Sequence, residues 1–344
     1  MRHRPCDRRA RSNADVPRHP GLVCGDEPGS DVDQSAGSYL QATHHPGLLA
    51  GPSGVRRQNC ARGKAGGRHD DRVRRSDFYA RALKREFWDS PLLKDLERVV
   101  LVHRLREVSA QVGFTRFEAA VADIHGDIAN DLDLQVRRAP LGLDVAWLPA
   151  VENRGEGIFI QFKSQAIDKW LKRAEVNDRG KALMEGFEAW KADHKNSSRE
   201  FPGLPYYLLH SLSHLLMTAI SLECGYPGSS IRERIYIEQG GYAILIYTAS
   251  SDSEGTLGGL VLAGRDLKRH MTRALDAGTL CSNDPVCALH IPSDQGHQHL
   301  LGSACHGCLL ISETSCEQRN DFLDRALVVA TITGSSTAFF DLKG

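Results

Sequence analysis

Five of the nine cysteines fall between Cys281 and Glu317, in "CSNDPVCALHIPSDQGHQHLLGSACHGCLLISETSCE". Five residues separate Cys281 from Cys287, two separate Cys305 from Cys308, and seventeen lie between the pairs. A close pair sets two thiolates on one tight turn, and two such turns brought together make the tetrahedral sulfur cage that structural zinc prefers. Asp284–Pro285 is a turn-forming pair inside the first loop, and Gly307 lets the second loop turn tightly around an ion. Four thiolates leave no coordination position for water, so the spacing predicts a structural Zn2+ with no catalytic role. Cys316, eight residues past Cys308, is an alternate ligand or a small buried residue at the start of the last helix. His290, His297, His299 and His306 leave a mixed Cys/His set as a lesser option. "CHGC" also has the spacing of redox dithiols, but the βαβ context of such sites is missing. No secretory leader is visible at the N-terminus, and in a reducing compartment stable disulfides are disfavoured.

A second set of chemically capable residues lies in "HSLSHLL", where His210 and His214 stand four apart on one helix face. This is the spacing of helical zinc ligands, and it keeps open a metal-dependent enzyme using both rings. A zinc protease needs Glu directly after the first His, however, and here Ser211 takes that place. The favoured expectation is two buried histidines, each hydrogen-bonded to a neighbouring element. "SSDSEGTLGGL" is a Gly-rich loop between a strand and a helix, but it matches neither phosphate-binding pattern, and Asp252 and Glu254 would repel phosphate. No P-loop occurs in the chain, so ATP hydrolysis is not expected. Near the cysteines, Asp284, Asn320, Asp324 and Arg325 could fix the sulfur loops by hydrogen bonds, as outer partners do around metals.

These residues need elements to position them. The 344 residues carry equal numbers of basic and acidic side chains, 43 of each, which hides an asymmetry. Residues 1–75 hold thirteen Arg and one Lys against eight acids, while the rest holds 29 basic and 35 acidic residues. The first part has no Ile, Phe or Trp and too little apolar surface to offset chain entropy. Residues 1–76 are therefore expected to be a disordered or non-native tail, with a nucleic-acid contact as the alternative, and Cys6, Cys24 and Cys60 as incidental. From Asp77, "FYARALKREFW" and "SPLLKDLERVVLVHRLREVSAQV" show helical spacing, with Ser90–Pro91 as a start signal. "LDVAWLPAVENRGEGIFIQF" reads as two strands around a turn at Asn153 to Gly157. Three helices follow, in "SQAIDKWLKRAEV", "GKALMEGFEAWKADHK" and "PYYLLHSLSHLLMTAISLEC"; the third is apolar nearly all round and belongs in a core. "SIRERIYI" and "YAILIYTA" read as strands, and "LGGLVLAGRDLKRHMTRALDAG" and "QRNDFLDRALVVATI" as helices flanking the cysteines. The expected class is α+β: a mixed sheet with packed helices and a four-cysteine zinc-binding segment. A helical region with a β-hairpin spans 77–200, and the zinc-binding domain spans 201–344. No apolar run reaches the roughly 18 to 20 residues that cross a bilayer.

"YTASSDSEGTLGGL", "CSNDPVC", "ACHGCLLISETSCE" and "NDFLDRALV", in this order, resemble the MrfA-like zinc-binding domain, which ends certain superfamily 2 helicases. "WLPAVENRGEGIFIQF" and "LLHSLSHLLM" are similar to its DrmB branch, from the bacterial DISARM antiviral defence system. The resemblance spans roughly residues 95–335 and implies the zinc role for Cys281, Cys287, Cys305 and Cys308. It further implies a cytoplasmic, helicase-associated accessory protein that scaffolds a helicase partner and, mainly through that complex, DNA. Family members carry a long helicase-related region upstream, where this chain has its unrelated first 75 residues. A non-enzymatic, N-terminally truncated protein is expected, with a stand-alone structural zinc domain left from a truncated helicase as the alternative.

Overall fold

The computed structural model describes residues 78–110, 147–195, 197, 199–237, 241–248, 258–292, 298–333 and 336–342, with the backbone of 113–114 and 139–140. The expected tail over 1–76, with its three cysteines, lies outside the described residues. So do His297 and the acidic part of the Gly-rich loop, including Asp252 and Glu254.

Strand β1 (Tyr79–Ala82) and the long β2 (Leu96–Ala110) open the described fold. Two short strands, β3 (Gly113–Phe114) and β4 (Ala139–Pro140), pair with each other. Next come β5 (Ala150–Phe162), α1 (Ser164–Leu171), α2 (Ala174–Asp193) and α3 (Leu204–Cys224). Strands β6 (Ile231–Tyr236) and β7 (Tyr242–Thr248) precede α4 (Gly259–Arg265) and α5 (Leu267–Gly278). Two single turns, α6 (Val286–Leu289) and α7 (Arg325–Val328), complete the α-helices among the described residues. The fold is α+β, with a five-stranded sheet in the order β1-β2-β5-β7-β6 beside the two-stranded β3-β4 pair.

The five-stranded sheet is not mixed, because each of its four strand pairings is antiparallel; β6 and β7 form a hairpin, whose two strands must run in opposite directions. The stretch read as helix at 96–110 is strand β2, whose Val99, Val100, Val102 and Val108 suit a pleated surface. Only single 3-10 turns remain of the helical reading, at Arg85–Phe87 and at Pro91–Leu93, the latter capped by Ser90. The hairpin read at Asn153 to Gly157 is one unbroken strand, β5. Its glycines serve close approach, not a turn: a Cβ on Gly155 would lie 1.7 Å from the Thr248 carbonyl oxygen. Glu156 between them is buried and accepts N–H bonds from Gly258 and Leu260, both at 2.7 Å, so it caps the start of α4. The helix read after the cysteines shrinks to α7, because Arg319, Asn320 and Phe322 take left-handed backbone with φ of 54°, 67° and 60°.

The apolar helix α3 lies in the core as expected, with His210, Ser211, Ser213 and His214 buried among its leucines. It ends at Gly225, whose φ of 69° supplies the left-handed cap. Along β5 the side chains alternate: Ile158, Ile160 and Phe162 join the helix-side core, while Phe159 joins a smaller cluster with Val100, Val102 and Leu245. Among the described residues no helix is long and apolar enough to cross a membrane.

Candidate metal centre

Cys281 follows the end of α5, Cys287 sits on α6, and Cys305 and Cys308 sit on a turn fifteen or more residues further on. The chain brings all four sulfurs within 4.8 Å of one another. Cys281 Sγ lies 3.3 Å from Cys305 Sγ, Cys287 Sγ 3.7 Å from Cys308 Sγ, and Cys305 Sγ 3.8 Å from Cys308 Sγ. A disulfide needs about 2.05 Å, so these are not bonded pairs. Tetrahedral zinc with bonds of about 2.3 Å sets its sulfurs about 3.8 Å apart, which is close to what the loops present. The donor set therefore fits structural Zn2+.

Both turns are shaped for thiolates. The Asn283 N–H donates to Cys281 Sγ at 3.4 Å, and the Gly307 N–H donates to Cys305 Sγ at 3.3 Å. The Asn283 side-chain amide adds a bond to Cys305 Sγ at 3.2 Å. Burial works to raise the Cys305 thiol, but the Asn283 amide, the Cys281 thiol and the Gly307 N–H outweigh it and bring it to about 7. Gly307 matters for space: a Cβ there would lie 2.6 Å from Ser282 Oγ and 3.2 Å from Cys281 Sγ.

The polar residues singled out in the sequence lie around these loops. Asp284 accepts from the Cys281 N–H at 2.9 Å and the Ala288 N–H at 3.1 Å, and it pairs with the buried Arg325 guanidinium. Arg325 also donates to the Gly278 carbonyl at 3.0 Å, so it ties the first cysteine loop to the end of α5. Asp324 caps α7 and accepts from the Ser303 N–H at 3.0 Å, two residues before Cys305. Its other oxygen pairs with Arg179 of α2 at 2.7 Å, and Arg179 reaches on to the His290 carbonyl at 3.2 Å. Asn320 clasps the Ile311 backbone through both ends of its amide, at 2.9 and 3.0 Å. Sequence reasoning missed Arg179 and Ser303, which stand far from the cysteines in the chain or carry no charge.

Cys316 is not in this cluster. It is buried and grouped instead with His210, His214 and Glu233. Glu233 was missed as well, although a signal existed. It occupies the middle inward position of β6, between Ile231 and Ile235, in a strand whose burial alternates strictly.

The profile of the MrfA Zn-binding domain matches residues 212–309, which include all four clustered cysteines. DISARM protein DrmB of Bacillus paralicheniformis is 36% identical over 274 residues, covering 79% of this chain and 47% of that protein. The chain thus spans about half the length of this curated relative. A zinc-fitting thiol tetrad thus lies inside a segment, 212–309, that matches the MrfA Zn-binding domain, within a sequence similar to DISARM protein DrmB.

Proposed function

We propose that this chain is a zinc-stabilised accessory component of a DISARM-type phage-defence system in the cytoplasm, scaffolding a helicase partner and, through it, DNA. The relation to DISARM protein DrmB carries this reading. Zinc in the closed thiol tetrad has no position left to activate water, which fits a structural role. His210 and His214 are both fully buried, so the alternative of an enzyme built on them gains no support. The sequence offers no P-loop to cradle a nucleotide. Beside the tetrad, Leu280, Val286, Leu289 and Ile291 are exposed, an apolar group suited to a protein partner.

The test is co-expression with a candidate DISARM helicase, followed by capture of the tagged chain at moderate salt. The wild type should retain the helicase, and Val286→Glu with Leu289→Glu should lose most of it while keeping zinc. No retention by the wild type would leave only the stand-alone structural domain. ATP turnover stimulated by DNA, with helicase excluded, would contradict the non-catalytic role.

A further inference from the structure

We propose a second, buried metal site in this chain, in which His210 Nε2, His214 Nε2, one oxygen of Glu233 and Cys316 Sγ hold a zinc-class divalent cation. The ligating atoms lie within 4.8 Å of one another. His210 Nε2 is 2.8 Å from Glu233 Oε1 and 3.1 Å from Cys316 Sγ, and His214 Nε2 is 3.0 Å from the same carboxylate oxygen.

With Glu233 as carboxylate and Cys316 as thiolate, the donors and acceptors at this centre balance only around a cation or with protonated rings. His210 Nδ1 faces the Phe322 carbonyl at 3.3 Å, and His214 Nδ1 faces the Leu309 carbonyl at 2.8 Å. A carbonyl can only accept, so each Nδ1 carries its ring's proton, and a neutral ring then points the Nε2 lone pair inward. A carbonyl on Nδ1 is the usual outer partner that orients a metal-bound histidine. Opposite the lone pairs stand further acceptors. Glu233 Oε1 is a carboxylate oxygen, and its Oε2 is already in contact with the Ser213 hydroxyl. Cys316 Sγ accepts N–H bonds from Gln318 at 3.3 Å and Asn320 at 3.1 Å, which would support it as a metal-bound thiolate against the burial and Glu233 charge that push the free thiol up. Without a cation, either both rings are cationic, with centroids 4.5 Å apart inside the core, or the Cys316 thiol and a protonated Glu233 carboxyl must supply the missing protons. One divalent cation instead cancels the charges of one carboxylate and one thiolate.

The ligand types also select the ion. Two imidazoles, one carboxylate and one thiolate are a mixed N/O/S set of the kind zinc accepts in tetrahedral geometry. Zinc bonds of about 2.0 to 2.3 Å place such ligands roughly 3.3 to 3.6 Å apart, so the group need open only by a few tenths of an ångström. The left-handed residues Arg319, Asn320 and Phe322 wrap the backbone over Cys316 and aim the Phe322 carbonyl at His210. This centre joins α3, β6 and the segment after the zinc-domain match, which runs only from 212 to 309 and so includes neither His210 nor Cys316.

The full chain, purified without chelator, should contain two zinc ions, one of them from the thiol tetrad. Zinc-edge X-ray absorption should show an averaged shell of sulfur with a substantial nitrogen and oxygen share. Glu233→Gln and Cys316→Ser should each lower the content to one zinc and leave a shell of sulfur alone. The wild-type spectrum needs no variant, so the test stands even if these proteins misfold. One zinc or fewer per wild-type chain, or a wild-type shell of sulfur alone, overturns the proposal.

Discussion

Removing the Arg325 guanidinium would strand Asp284 beside the first cysteine loop, since both side chains are nearly or fully buried. Losing one partner of a buried ion pair costs about 3 to 5 kcal/mol. Arg325→Met should therefore lower the urea midpoint by a matching amount. Because the same carboxylate orders the Cys281 and Ala288 N–H groups, zinc retention against a chelator should also weaken, roughly 10- to 100-fold. An unchanged midpoint and unchanged retention would contradict the role given to this pair. At this scale much was legible: Asp284, Asp324 and Arg325 stand within or just after the cysteine segment, and polar residues there have few other tasks. Glu233 was not legible as a partner of the α3 histidines. A strand acid flanked by Arg232 and Arg234 reads as solvated until the alternation of Ile231 and Ile235 is followed through it.

Helix α2 packs on the cysteine segment through a glycine. A Cβ on Gly186 would lie 2.2 Å from Pro292 Cβ and 2.4 Å from the His299 carbonyl oxygen. Gly186→Ala should push α2 away and cost about 1 to 3 kcal/mol by overpacking, measurable as a lower Tm with zinc content kept. A stabilised protein, as the better helix propensity of Ala alone would give, would show that the contact yields. Gly155→Ala poses the same test between β5 and β7, where the clash is with backbone and cannot be relieved by a rotamer change. These glycines also explain why β5 was misread. In sequence, "NRGEG" has the composition of a turn, and the need for close strand approach shows only when β7 lies alongside. Strand β2 failed for a related reason: its leucines and valines fit helical spacing, and pairing with β5 along most of its length decided otherwise. Helix α3 was plain, because twenty apolar-rich residues bounded by Pro205 and Gly225 leave little choice.

The cysteine segment is not an appendage on this molecule. Arg179 from α2, Ser211 from α3 and Gly278 at the end of α5 all bond to Asp324 or Arg325, next to the thiol loops. Metal loss should therefore lower the stability of the packed helices and not the loops alone. Bare DNA should bind weakly at physiological salt to a fragment lacking the first 75 residues, because phosphate contacts dominate such affinity and the remaining residues carry an acidic surplus. Tight binding there, with a shallow salt dependence, would contradict the proposal that DNA is reached through a partner. Zinc per chain in the wild type and in Cys305→Ala, purified side by side, tests the metal role of the tetrad most directly. The tetrad predicts the loss of one zinc equivalent, together with new protease sensitivity around residues 281–309. Equal zinc in the two proteins would contradict it.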